Sequence, residues 1–451
     1  MTAEDLKPLI HEARRNLRFD EPLAADDPRL VDLNAVRGDF RLHRFLFELG
    51  IDAPDGPVDA PPDCQYVLFG GHRGCGKSTE LRRLGAALHR ADRYYVVLVD
   101  VLQLLDVNDV EYSDVLLAQA EALTAQLERD GIDIDGVHLQ RLHDWFFERI
   151  ESRTKTRELA AELKAGAEVK TGLPLLGRLL AGIVNSIRAN SVHKDELRRV
   201  VRASFPQFAD AFNGLIEHAR ERVGAEQRGR GLLFIVDGTD RLRGNDADAF
   251  FERDVYQLKM VRANVVYCAP IDLISERGVL AQSFSIVRLP MIKLADKHAE
   301  TPLPEAMEAM RRMALARIDA RLFTDAGAIL DYLIRVSGGH PRDLIRLLSY
   351  ALAESFGRPI DQAAAEEAVR RLATDYRRII QQDDYALLAT IDWAPPEYTP
   401  IDKNTRRLLY DLALLEYNSF WWASHPAVRT LDGYRTALGE LAAEHAPDAT
   451  Q

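Results

Sequence analysis

The sequence holds 451 residues with a formal net charge of −12, of which 47% are hydrophobic and 28% charged. That balance excludes a disordered chain, and the acidic excess excludes a protein that coats nucleic acid through a broad field of Lys and Arg. Cys64, Cys75 and Cys268 show no paired ligand spacing, which excludes a disulfide scaffold and a zinc motif and leads us to expect a reduced, cytoplasmic setting.

Residues 1–62 read as a helical lead-in closed by the Pro-, Gly- and Asp-rich stretch IDAPDGPVDAPPD. The opening MTAEDLKPLIHEARRNL is charged throughout and has no apolar signal core.

Residues 63–292 alternate apolar runs with helical spacing. QYVLFG, YYVVLVDV, LLFIVD, NVVYCAP and FSIVRLP are the predicted strands, so an α/β fold with a parallel sheet is expected. The first strand leads into GGHRGCGKS, beginning at Gly70, and then into a helix with Leu81, Leu84 and Leu88 on one face. Gly71, four intervening residues, Gly76, Lys77 and Ser78 match the P-loop pattern in its required strand–loop–helix context. The chemistry follows from the residue types. Gly71, Gly74 and Gly76 allow backbone N–H groups to turn towards phosphate oxygens, and the helix N-terminus favours the same charge. Lys77 is expected on the β- and γ-phosphates, and Ser78 on Mg²⁺, with Thr79 beside it. His72, Arg73 and Cys75 complete the candidate nucleotide-binding loop. ATP and Mg²⁺ are the expected cofactors, because no guanine-reading motif accompanies the loop.

Residues 105–230 form a mostly helical insertion, far longer than one crossover requires. Within it Leu176, Leu179, Leu180, Ile183, Val184 and Ile187 recur at helical spacing opposite Arg178, Asn185 and Arg188, a stripe read first as core. The stretch LPLLGRLLAGIVNSI is too short to span a bilayer and contains Arg178, so no membrane span is expected.

GLLFIVDGTDRL then delivers Asp237 to the end of a buried strand, where a carboxylate can meet a metal ion. Many P-loop ATPases place a water-polarising glutamate next, but Gly238 stands here. Asp240 is the nearest carboxylate, either a general base or a helix cap. Glu80 is a lesser candidate, read as a solvent-facing helix residue. Binding is therefore expected to be firm and turnover slow.

Residues 293–375 read as a helical lid, including TDAGAILDYLIRV with Thr324 as its N-cap and SGGHPRDLIRLL, in which a Gly-Gly turn enters a helix at Pro341. Residues 376–451 read as two helices followed by a hairpin around Asn418 and Ser419, the pattern of a winged helix. Lys403, Arg406 and Arg407 lie on its second helix, yet acidic residues outnumber basic ones in this segment, so packing or regulation is favoured over DNA reading.

The P-loop, VDGTDRL and SGGHPRDLIRLL together resemble the AAA+ and STAND branch of P-loop ATPases, bacterial regulatory members with a lid and winged helix, and more distantly origin-recognition ATPases. The resemblance covers residues from about 61 to the C-terminus. It implies that Arg342 reports on the γ-phosphate, the alternative being a plain inter-helix turn with Arg342 solvated; that Arg277 lies where an arginine finger can sit, though an exposed surface arginine is the favoured reading; that Asp272 is a weak substitute for the absent strand sensor; and that His425, read first as holding structure, is a remote counterpart of a winged-helix histidine that contacts nucleotide. Adjacent aspartates are usual in that branch, and Gly238 departs from them. What the resemblance implies is a regulatory ATPase: a slowly hydrolysing switch that self-associates or engages an effector protein, in bacterial signalling or anti-phage defence. The alternative is an ATP-dependent DNA-binding module of initiator or transposition-helper type.

Overall fold

The computed structural model describes residues 3–38, 40–59, 61, 63–106, 109–151, 173–189, 191–242, 244–275, 280–299, 301–418 and 421–445. Arg277, Ser419 and part of the insertion lie outside them. The chain divides into two compact units. One comprises Met1–Arg41, Gly70–Thr79 and Arg288–Gln451; the other comprises Leu42–Phe69 and Glu80–Val287.

The second unit is built on the sheet. After α1 (Ala3–Asn16) and α2 (Leu42–Glu48), the chain forms β1 (Tyr66–Gly71), α3 (Lys77–Leu88) and β2 (Tyr94–Asp100). The insertion supplies α4 (Tyr112–Arg129), α5 (Gly136–Glu151), α6 (Leu173–Ala189), α7 (Ser191–Ala203) and α8 (Phe205–Ala225). The strands β3 (Gly231–Asp237), β4 (Asn264–Pro270) and β5 (Ser285–Arg288) follow, and the order across the sheet is β2-β3-β4-β1-β5. β2, β3 and β4 pair in parallel, with Asp100 opposite Asp237. Each expected strand is present. Every residue of β3 and β4 is buried, as a sheet covered on both faces requires.

The apolar stripe on α6 is core: Leu176, Leu179, Leu180, Ile183, Val184 and Ile187 are all buried, and the helix packs on α4. Arg178, Asn185 and Arg188 are exposed on the opposite side. Arg198 on α7 is buried against the equally buried Asp114 of α4, with Nη2 2.5 Å from the carboxylate, and also reaches Asp109 at 2.8 Å. α8 lays Phe212 against Phe234 of β3. Among the described residues, no helix is long and apolar enough to cross a membrane.

The first unit carries the helices that follow the sheet: α9 (Pro304–Leu315), α10 (Ala326–Val336), α11 (Pro341–Glu354), α12 (Gln362–Arg377), α13 (Asp384–Trp393) and α14 (Lys403–Tyr410). An antiparallel hairpin of β6 (Leu414–Asn418) and β7 (Trp421–Ser424) comes next, then α15 (Pro426–Arg429) and α16 (Asp432–Glu444). The cap of α10 is Asp325, which accepts from Ala328 N–H at 3.0 Å; Thr324, the expected cap, donates instead to Ile360 O at 3.2 Å. An aspartate one residue nearer the helix reaches the first-turn amide of Ala328 that the threonine cannot. α11 and α12 pack through Leu344, Leu347, Leu348, Ala365, Ala368 and Leu372, all fully buried. Gly338 and Gly339, at φ +61° and +72°, make the turn between α10 and α11. A β-carbon on Gly339 would lie 1.9 Å from Ile292 O, so only glycine fits this crossing.

Candidate functional site

The P-loop bends at Gly74 and Gly76, whose φ values of +88° and +105° suit glycine alone among the residue types available. Gly71 is fixed by approach instead: a β-carbon there would meet Leu289 O at 2.6 Å. The Lys77 ammonium is buried and donates to Gly71 O at 2.7 Å and His72 O at 2.9 Å, so the loop's own carbonyls hold the lysine within the turn. Ser78 is half-buried at the first turn of α3, and Thr79 Oγ1 accepts from Leu23 N–H at 3.2 Å. Glu80 departs from expectation: it is buried and paired to Arg83 at 2.6 Å, because the first turn of α3 is covered there.

Arg37 secures the loop from outside. It is buried and donates to Cys75 O and to Pro290 O, both at 2.8 Å, joining the loop to the segment after β5. Nothing local in the sequence marks this arginine, which stands 38 residues from Cys75. Cys75 itself is fully buried, with Sγ 3.9 Å from Leu289 O.

The two residues after Gly71 are tied to the C-terminal elements of the same unit. His72 is buried; its Nε2 accepts from Glu416 N–H at 2.7 Å and its Nδ1 donates to Leu409 O at 3.2 Å, which fixes one neutral tautomer. Burial, with the nearby His340 and Lys77 charges, pushes its pKa down to about 3. Arg73 O accepts from His340 Nε2 at 2.9 Å. A β-carbon on Gly74 would lie 2.8 Å from His340 Nε2, 2.9 Å from Arg342 Cβ and 3.0 Å from Arg342 Nε. Arg342 therefore sits directly on the phosphate loop, and its Nε donates to Phe19 O at 3.2 Å.

His340 also belongs to a buried polar network. Asp343, fully buried, accepts from Tyr376 Oη at 2.6 Å and Arg346 Nη1 at 3.0 Å. His340 Nδ1 and His425 Nε2 approach its Oδ2 at 3.1 and 3.2 Å, out of line for full hydrogen bonds. Burial alone would raise the Asp343 pKa, but His340 and His425 hold it well below the usual carboxylate range. Burial lowers that of His425, with Asp343 partly offsetting it. These three residues bring metal-ligating atoms together. His425 Nδ1, however, accepts from Ala427 N–H at 3.1 Å, which places the ring proton on the nitrogen facing Asp343. That proton makes His425 a poor metal ligand and leaves a buried polar junction of α11, α12 and α15, whose hydrogen bonds to Asp343 come from Tyr376 and Arg346. The sequence motif contains His340 and Asp343, but their spacing of three gave no sign that His425 would join them.

In the other unit, Asp237 ends β3, and one ligand atom each from Asp237, Asp240 and Cys268 lie within 4.8 Å of one another, all buried. The two carboxylates suit a hard cation such as Mg²⁺; the thiol does not. Thr239 Oγ1 donates to Cys268 O at 2.5 Å and pins the turn. Gly238 has φ +94°, and a β-carbon there would meet Leu102 Cγ at 3.0 Å. The backbone itself thus selects glycine where a glutamate was anticipated. Asp100, opposite Asp237, is committed to capping the next turn through Leu102 and Gln103 N–H and to Arg82 at 3.3 Å. Asp272 is half-buried in the short helix Ile271–Ser275 that follows β4. On α14, Arg407 pairs with Asp384 at 2.5 Å, while Lys403 is exposed.

No protein-family model matches the chain, and no curated protein does. Among solved structures, the chain is similar to the Walker-type ATPase PABY2304 of Pyrococcus abyssi, with 12% identity, 92% of this chain and 99% of that chain covered, and a TM-score of 0.42. It is also similar to Cdc6p from Pyrobaculum aerophilum, with 12% identity, 91% and 99% covered, and a TM-score of 0.33. With TM-scores below 0.5, neither likeness adds to what the residues themselves support.

Proposed function

We propose that this chain is an ATP-binding, slowly hydrolysing molecular switch of AAA+/STAND type, in which a lid governs the phosphate loop. The core spans residues 63–292, the lid 293–375 and a winged-helix module 376–451. Lys77 and the amides of residues 71–79 hold the phosphates, and Ser78 and Asp237 hold Mg²⁺, which when bound would neutralise charge on the transferring phosphoryl group. Asp240 orients the attacking water, and Arg342 senses the γ-phosphate. The observation that carries this reading is the seating of His340 and Arg342 on Gly74, which makes the loop's shape depend on the position of α11.

Lys77 would leave the carbonyls of Gly71 and His72 for the phosphates, and those carbonyls would then be released to reorient the turn. A switch that resets by hydrolysis needs such a two-state element. Self-association or an effector protein is the proposed output, in bacterial signalling or anti-phage defence.

The test is steady-state phosphate release from ATP across protein concentrations, with and without duplex DNA, with Lys77→Ala as the blank. Slow, DNA-independent turnover that rises more steeply than protein concentration supports the switch. Turnover stimulated by DNA favours the DNA-binding module instead, and release no faster than the blank removes hydrolysis from the proposal.

A further inference from the structure

A cavity of about 380 Å³ lies within the first unit, away from the P-loop residues and lined by the segment after β5, the end of α10, the hairpin and α15. Its volume falls in the range of small-molecule sites, roughly 300–1,000 Å³. Tyr417 and Trp421 form one wall, with ring centroids 4.3 Å apart, and Gly338 and Pro426 form another.

The polar groups in this cavity are mainly donors. Arg335, exposed at the end of α10, makes no ion pair or side-chain hydrogen bond among the described residues. Lys297 adds a second cation, its ammonium held at the rim by Ile391 O at 2.8 Å. The acidic groups present are already engaged: Asp392 accepts from Ser424 N–H, Arg429 and Tyr434 Oη, and Asp296 pairs with Lys293 at 2.7 Å. The groups left to meet a ligand are therefore the Arg335 guanidinium and the aromatic faces of Tyr417 and Trp421.

We propose that this cavity binds a small organic anion bearing one planar ring, with the ring against Trp421 and Tyr417 and the anionic group on Arg335. A nucleoside monophosphate and an aromatic carboxylate share that chemistry. The cavity wall is wired to the loop: Tyr417 Oη donates to Gly338 O at 2.8 Å, and the Gly338–Gly339 turn leads directly to His340.

Calorimetric titration of the full chain with AMP and, separately, with 2-naphthoate tests this. One-to-one binding of either probe is expected, and which probe binds identifies the source chemistry. Arg335→Glu and Trp421→Ala are expected to weaken it by at least about tenfold, the worth of one charge-assisted contact. Trp421→Phe, which keeps an aromatic face, should retain most of the affinity. Lys77→Ala should still bind one probe per chain, which separates this site from the phosphate loop whatever the loop binds. Thermal melting of Arg335→Glu should match the parent protein, since the side chain is exposed. Absence of binding by both probes overturns the proposal, as does binding that survives Arg335→Glu and Trp421→Ala or that is lost in Lys77→Ala.

Discussion

The Glu416 amide donates to Nε2 of His72 at 2.7 Å, so the second residue of the P-loop is bonded to the C-terminal hairpin across 344 positions of sequence. The imidazole can accept that bond only while neutral. Its pKa lies near 3, against an unfolded value near 6.5, so the unfolded chain binds more protons between those limits and stability falls as pH drops below about 6.5. His72→Gln places an amide oxygen near the Nε2 position and so offers an acceptor without titrating. The parent's melting temperature should fall between pH 7 and pH 4 more steeply than the variant's, and parallel profiles would remove His72 from the acid response.

Arg37 uses two nitrogens of one planar group to hold Cys75 O and Pro290 O. Arg37→Lys keeps the charge but cannot span both carbonyls. Both Arg37→Lys and Arg37→Ala should lose about 2–4 kcal/mol in denaturant unfolding, because buried carbonyls are left unpaired. A lysine variant of parental stability would show that charge rather than geometry matters.

Gly238→Glu is the obvious attempt to restore a water-polarising carboxylate. Here it forces a side chain onto φ +94° and towards Leu102. The expected outcome is about 1–3 kcal/mol of destabilisation with no gain in phosphate release, and Gly238→Ala should show most of the same stability loss. A faster enzyme would refute the backbone argument.

Asp237 and Asp240 should separate binding from turnover. Asp237→Ala is expected to remove the Mg²⁺ dependence of nucleotide affinity, and EDTA should reduce the parent to the same level. Asp240→Asn should keep that affinity and lower phosphate release by about 10²-fold, the usual loss with a general base. Equal effects of both variants on affinity would assign Asp240 to the metal as well.

In the sheet-bearing unit, Arg198→Leu strands the buried Asp114 carboxylate and should cost about 3–5 kcal/mol. The double variant Arg198→Leu/Asp114→Leu should recover most of that loss in chemical unfolding. A double variant no more stable than Arg198→Leu would mean that the other partners, Asp109 and Glu111, carry the cluster.

The residues that sequence alone determined are those whose chemistry is local. An apolar run makes a strand, a glycine permits a turn, and leucines three and four apart make a helix face, so β1 to β5, the P-loop and the α6 stripe were legible one segment at a time. Asp237 was legible too, because a carboxylate ending a buried strand is conspicuous. Local spacing could not reveal partnerships formed across the chain. Arg37 meeting Cys75, His72 meeting Glu416, and Asp343 collecting His340, Tyr376 and His425 depend on which surfaces pack, and hydrogen-bond geometry is decided only there. Gly238 shows the same division: the sequence displayed a missing glutamate, whereas the fold supplied the reason, a left-handed backbone pressed against Leu102.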